Sequence, residues 1–260
     1  MKQGICIALH GGDHKTGATM LAQCIAEQLA EQLSQESAML VTLHGRRGGE
    51  YTAFSGQSVE GMRSYLEQQL LNTQELLRDC RVQERLYNMR GIFHPEQQRR
   101  YHPKLSQYLI CQLRKEVSFI VADSGSEVDN GLAIGALQEA DLRCLVLTQQ
   151  ETVLSQWECC RGIYQRLGQQ FDLLIINRYL PEAVYTKEYL AERLEVSPDR
   201  ILLVSDSPYG LRADGEKKSL LQYKDERFRQ GICEICSRIA ERVGINYPEE
   251  KRWKRWRGFI

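Results

Sequence analysis

The run Gly12-Asp13-His14-Lys15-Thr16-Gly17-Ala18-Thr19 constrains the chain most, because it follows an apolar stretch and opens an amphipathic one. A strand that turns through such a loop into a helix aims backbone N–H groups at whatever lies above the helix start. The helix dipole makes that place favourable for an anion. Gly17 lets the backbone come close to such a ligand. The spacing follows G-x-x-x-x-G-K-[ST] with Ala18 in the lysine's place, and Thr19 is placed to ligate magnesium through its hydroxyl. Gly12, Asp13, His14, Lys15, Thr16, Gly17, Ala18, Thr19 and Met20 are the candidate nucleotide-binding segment. Losing the lysine removes a large electrostatic contribution to phosphoryl transfer. Lys15 either substitutes in part, with His14 as a further donor, or is a solvated loop residue. Gly-rich strand-to-helix turns also serve packing alone.

The rest of the chain repeats the alternation of strand and helix. Gly4–Leu9, Ala38–Leu43, Val117–Ala122, Leu142–Leu147, Asp172–Ile176 and Ile201–Val204 are short apolar runs that read as strands. Strands apolar on both faces belong in a parallel sheet covered by helices. Gly17–Ser34 is helical with Leu21, Ile25 and Leu29 on one face, and Gln156–Leu167 and Lys224–Val243 are further helices. The pattern predicts an α/β fold, a doubly wound, mostly parallel sheet with helices on both faces and right-handed crossovers. Met62–Arg85 reads as a long polar amphipathic helix, part of a helical covering segment around residues 59–115. One domain over residues 1–246 and a tail over residues 247–260 account for the whole chain.

Composition limits the partners. The chain carries 34 acidic and 34 basic residues, so any nucleic acid or membrane must be met by a local patch. Met1–Leu9 is too short for a signal peptide, and no run reaches the roughly 18 apolar residues of a membrane span. Localisation is thus expected to be cytoplasmic, with peripheral membrane attachment left to the tail. Nine cysteines, several in apolar runs such as Cys6, Cys111 and Cys144, suit a buried reduced role. Cys233 and Cys236 form a C-x-x-C inside a helical pattern, which reads as two neighbours on one helix face rather than half a zinc site.

Four later segments, taken in order with the loop, resemble the ParA/MinD family of dimerising P-loop ATPases. Phe119 to Gly125 looks like the family's second acidic motif, a strand ending in Asp123 followed by a small residue and Gly. Ala140–Thr148 resembles the next strand, Leu174–Tyr179 the strand ending in Asn-Arg, and Ile201–Tyr209 the strand and proline turn closing the base pocket. The resemblance implies ATP and Mg2+ as cofactors, Thr19 and Asp123 at the metal, Asp123 as the catalytic carboxylate, and Asn177, Arg178 and Pro208 at the base. Read alone, Asp123 is also a strand-end turn residue and Asn177 a turn residue before Pro181. The family's loop reads K-G-G-x-G-K-T. Here Asp13 replaces the first lysine, His14 and Lys15 the paired glycines, and Ala18 the second lysine. Val41-Thr42-Leu43-His44-Gly45 stands where an acidic residue follows the second strand. The Gly-Ala-Thr loop is similar to that of the TadZ/CpaE branch, which positions pilus or secretion machinery.

The tail from Glu249 to Ile260 sets Trp253, Trp256 and Ile260 at helical spacing, with Phe259 beside them and Lys251, Arg252, Lys254, Arg255 and Arg257 in the gaps. That pattern suits a helix on an anionic bilayer or a groove of a protein partner, with nucleic acid third. The expected function is an ATP-binding, dimerising positioning or assembly switch with weak or no hydrolysis, forming a homodimer and engaging a protein of a larger assembly. A nucleotide-independent scaffold is the alternative, and a DNA-segregation ATPase the second.

Overall fold

In a computed structural model the structure describes residues 3–33, 35–45, 51 and 56–248. Seven strands form one sheet: β1 (Ile5–Gly11), β2 (Ala38–Thr42), β3 (Leu86–Met89), β4 (Phe119–Asp123), β5 (Leu142–Leu147), β6 (Leu173–Tyr179) and β7 (Ile201–Ser205). Their order is β3-β2-β4-β1-β5-β6-β7, and every neighbouring pair is parallel. The central strand explains why the runs are apolar throughout. Cys6 and Ala8 enter one core while Ile7 and Leu9 enter the other, and all four are 0% exposed. A side-chain period of two thus feeds two helical layers.

On one face lie α1 (Ala18–Gln32) and α9 (Glu226–Arg242), joined by the small α8 (Gly210–Glu216). Leu21, Ile25 and Leu29 of α1 pack beside Phe228, Ile232 and Ile235 of α9. Burying each of these large side chains contributes on the order of 1.5–3 kcal/mol. The opposite face is covered by α4 (Pro103–Leu113), α5 (Gly131–Glu139), α6 (Glu151–Arg166) and α7 (Lys187–Arg193). The doubly wound expectation therefore holds, and the sheet is parallel throughout. No helix among the described residues is long and apolar enough to cross a membrane.

The segment between Met62 and Arg85 departs from the sequence reading. It forms two short helices, α2 (Arg63–Glu67) and α3 (Thr73–Asp79), rather than one long helix. Gln69 takes a left-handed φ of 58° between them, and Asn72 caps α3 by accepting from the Glu75 N–H. Edge strand β3 then follows inside the segment expected to be helical. It has four residues, includes the polar Asn88, pairs with β2 in the sheet and with the chain just before it through an Arg81–Tyr87 bridge, and its local pattern is weak. Cys6 and Cys144 are buried as expected, whereas Cys111 is exposed on α4. Cys233 and Cys236 lie on α9, both buried, with Gln28 of α1 donating to the Cys233 sulfur at 3.1 Å.

Candidate functional site

The C-terminal end of β1 passes straight into the glycine-containing loop, at the centre of the sheet where strand order reverses. Crevices at such positions are where open α/β sheets hold ligands. A cavity of about 910 Å³ opens there, lined by residues 13 to 21 of the loop and α1. Lys15 sits at φ 60°, in the left-handed region that favours glycine, and Gly17 at φ 89°. Lys15 thus keeps the glycine-type backbone although it carries a side chain. Gly17 starts α1 with no side-chain cap, so the N–H groups of the first helical turn, in Ala18, Thr19 and Met20, face the cavity.

The expected residues divide by position. Asp13, His14, Lys15, Thr16, Gly17, Ala18, Thr19, Met20, Asn177, Arg178 and Pro208 all line this cavity. Gly12 does not. It lies beneath the loop, where an added Cβ would stand 2.3 Å from the Leu147 side chain. Asn177 is buried, and its Nδ2 donates to the Thr16 carbonyl at 2.8 Å. In this arrangement it braces the loop from β6. Arg178 is exposed at the end of β6, and Pro208 follows β7 on the same side. Trp253, Trp256, Phe259 and Ile260 lie outside the described residues.

Asp123 ends β4 and is 0% exposed. Its Oδ1 accepts the Gly125 N–H at 3.1 Å, while its Oδ2 makes no hydrogen bond. His44, which follows β2, places its Nε2 3.4 Å from that oxygen. A buried carboxylate oxygen with an unused lone pair suits a cation, and Thr19, unlike Asp123, lines the cavity itself, so these two oxygens are the donors a divalent ion would draw on. His14 reaches the loop after β4, with Nδ1 2.9 Å from Ser126 Oγ. The lining carries Asp13, Glu127, Asp206 and Asp214 against the fixed cations Lys15 and Arg178. A polyphosphate entering this surface therefore needs accompanying positive charge.

Sequence reading overlooked several lining residues, among them His44, Tyr51, Asp214 and Leu211. Desolvation first, then the Asp214 charge, holds the Tyr51 hydroxyl above the usual phenol range. Leu211 stands 93% exposed at the rim. The signal for His44 was present: it follows an apolar strand at the position where the acidic residue is missing.

Beneath the loop, His10 is 0% exposed within β1. Ser124 gives its hydroxyl proton to the Leu9 carbonyl at 2.8 Å, so its oxygen accepts from His10 Nδ1 at 3.0 Å. His10 Nε2 then accepts from the Tyr164 hydroxyl at 2.6 Å. Phe171 stacks 6.0 Å from the imidazole, and Trp157 packs against both Tyr164 and Phe171. Burial pushes the His10 imidazole down to about 4 from 6.5. Below pH 6.5 the unfolded chain takes up this proton and the folded chain does not. Stability is expected to be level above pH 6.5, to fall by about 3 kcal/mol as pH drops to 4, and to level again below that. Urea midpoints across this range measure it. His10→Gln should flatten this leg, and an unchanged slope in that variant would assign the pH dependence elsewhere.

No protein-family model matches the chain. No curated protein matches it in sequence either. Solved structures do match in fold. A ParA family ATPase from Chlorobium tepidum TLS superposes with a TM-score of 0.76 at 12% identity, over 91% of this chain and 99% of that one. The septum site-determining protein MinD from Pyrococcus horikoshii OT3, complexed with Mg-ADP, gives 0.71 at 16% identity, over 93% and 100%. A Cyanothece McdA variant in complex with ATP gives 0.73 at 12% identity, over 96% and 100%. The structural neighbours are thus ParA/MinD ATPases, and the chain shares their fold along nearly its whole length.

Proposed function

We propose that this protein is a nucleotide-dependent, dimerising positioning switch of the ParA/MinD kind that binds ATP with a divalent cation and hydrolyses it weakly or not at all. The observation that carries the reading is the uncapped start of α1, whose first-turn N–H groups open into a cavity large enough for a nucleotide. Thr19 and Asp123 are the residues that would hold the cation, which supplies charge neutralisation at the phosphates. Ala18 offers no cation of its own, which supports slow or absent hydrolysis. The neighbours with bound ADP or ATP, and a MinC:MinD complex from Aquifex aeolicus at 15% identity, support nucleotide use and a protein partner. The Gly-Ala-Thr loop supports a TadZ/CpaE-like role at pilus or secretion machinery, and the aromatic basic tail supports engagement of a membrane surface or a protein there.

One observation favours a second reading, a scaffold that works without nucleotide. Asp123 is completely buried and does not line the cavity, whereas His44, 3.4 Å from it, does. Calorimetric titration of the full chain with ATP and magnesium separates the two. Saturable binding is expected, weakened at least about tenfold in Thr19→Ala through loss of a metal-bound hydroxyl. Ala18→Lys, whose ammonium would enter the cavity, is expected to tighten binding by about tenfold or more. Absence of binding at millimolar ATP in all three proteins would end the switch reading and leave the scaffold.

A further inference from the structure

Among the described residues, five that are not glycine hold a left-handed backbone: Lys15, Gln69, Arg178, Glu195 and Lys217. Three of them close helices. Gln69 and Glu195 stand just past the C-caps of α2 and α7, and Lys217 is itself the C-cap of α8. A left-handed residue is a common way to end a helix. Lys15 and Arg178 end none. Lys15 lies in the loop before α1 at φ 60°, and Arg178 at the irregular end of β6 at φ 54°. Both line the cavity of about 910 Å³, and no other lysine or arginine among the described residues does. The two backbone outliers that helix ends leave unexplained are thus the two fixed cations of the site.

The fold sets them near one another. Asn177 Nδ2 donates to the Thr16 carbonyl at 2.8 Å. Lys15 precedes Thr16 and Arg178 follows Asn177, so each stands one residue from this bond. An added Cβ at Gly17 would lie 2.4 Å from the same Nδ2, so the end of β6 touches the loop where α1 begins. Both cations are exposed, and neither side chain makes an ion pair or a hydrogen bond with another described residue. His14, between Asp13 and Lys15, is already engaged: its Nδ1 is 2.9 Å from Ser126 Oγ and its Nε2 3.9 Å from Glu127. Left-handed backbone is strained for an L side chain, and such strain gathers at ligand sites, where it is part of how a group is held. Glycine at either position would relieve the strain and lose the charge.

We propose that Lys15 and Arg178 form a phosphate clamp that supplies, from the loop and from β6, the positive charge that Ala18 does not. The ligand class is a nucleoside di- or triphosphate, recognised here by its polyphosphate and not by its base. The Arg178 guanidinium offers forked donors to phosphate oxygens, and Lys15 offers a mobile point charge beside the N–H groups that open α1. Arg178 is thereby assigned to the phosphates, whereas the family resemblance puts it at the base. The assignment rests on the nucleotide reading above, but its anion-binding core can be tested without a base.

The test titrates the full chain with AMP, ADP and inorganic tripolyphosphate at fixed magnesium, in wild type, Lys15→Gly, Arg178→Gly and Lys15→Gln. Each glycine variant is expected to bind ADP and tripolyphosphate at least tenfold more weakly, with AMP affinity changed less than twofold. Its melting midpoint should be unchanged or raised, since glycine accepts the left-handed backbone. Lys15→Gln should lose the same affinity with the midpoint unchanged, which separates charge from strain. Wild-type affinity for ADP in every variant would overturn the clamp and leave the nucleotide reading standing. A loss in only one of the two glycine variants, or a loss that tracks a lowered midpoint, would overturn it as well. Tripolyphosphate binding that depends on both residues, with no binding of ADP, would end the nucleotide reading and keep the clamp. Failure of both ligands to bind wild type would end both.

Discussion

Gly17→Ala is expected to lower stability by about 2–4 kcal/mol and to abolish nucleotide binding. Two costs combine at this position. Gly17 stands at φ 89°, where an L side chain is strained by about 1–2 kcal/mol. Its added Cβ would also lie 2.4 Å from Asn177 Nδ2, a buried atom that donates to the Thr16 carbonyl at 2.8 Å. Displacing that amide leaves buried polar groups unpaired, at about 1–3 kcal/mol. The same shift moves the loop that presents the first-turn N–H groups, so binding fails together with stability. Gly215→Ala is the control, since nothing lies within 4 Å of its added Cβ and it is inside α8. It should be neutral or stabilising by about 0.5–1 kcal/mol. Thermal midpoints and calorimetry on both variants test the contrast, and equal stability in the two would refute the steric argument.

Asp123→Asn is expected to act in opposite directions on stability and on function. The wild-type carboxylate is fully buried, with Oδ2 lacking a hydrogen bond beside Thr42, whose hydroxyl oxygen also lacks one. An amide keeps the Oδ1 bond to the Gly125 N–H and replaces a buried charge with a neutral donor facing His44. The gain should be about 1–3 kcal/mol, the range for relieving an unsatisfied buried group. Metal-dependent nucleotide binding should fall by about 100-fold or more, because even groups one step removed from a metal are worth 10–100-fold. A stabilised but inactive variant follows the general trade between site chemistry and stability. Urea unfolding at neutral pH reads the first effect. A clear loss of stability would mean that the His44–Asp123 contact is itself a stabilising ion pair.

Much of the fold is legible because it is written in short windows. Leu21, Ile25 and Leu29 recur every fourth residue, and all three are fully buried on α1. The strand runs from Ala38 and from Leu142 begin where the structure begins them, since strands buried on both faces need no alternation to be read. The loop from Asp13 to Thr19 is legible for the same reason, as turn, left-handed backbone at Gly17 and helix start are all local. Strand β3 and the break at Gln69 are not legible in this way. β3 takes its place in the sheet because β2 offers it an edge, and Gln69 is left-handed because the chain must turn back there.

The site shows the same boundary. The family resemblance, carried by the order of the motifs, brought Thr19, Asp123, Asn177 and Pro208 into one hypothesis, and three of them line one cavity while Asp123 is buried and outside its lining. It could not place His44 on Asp123, because that contact depends on β2 lying next to β4 rather than next to β1. Nor could it show that Asn177 braces the loop at Thr16, since the two residues are 161 positions apart. What the sequence by itself determined is the parallel α/β architecture and a glycine-containing strand-to-helix loop with Ala18 before Thr19, because hydrophobic period and turn chemistry act over a few residues. What only the tertiary structure decided is which side chains cover the carboxylate and support the loop, because strand order and close packing set those meetings across the sheet.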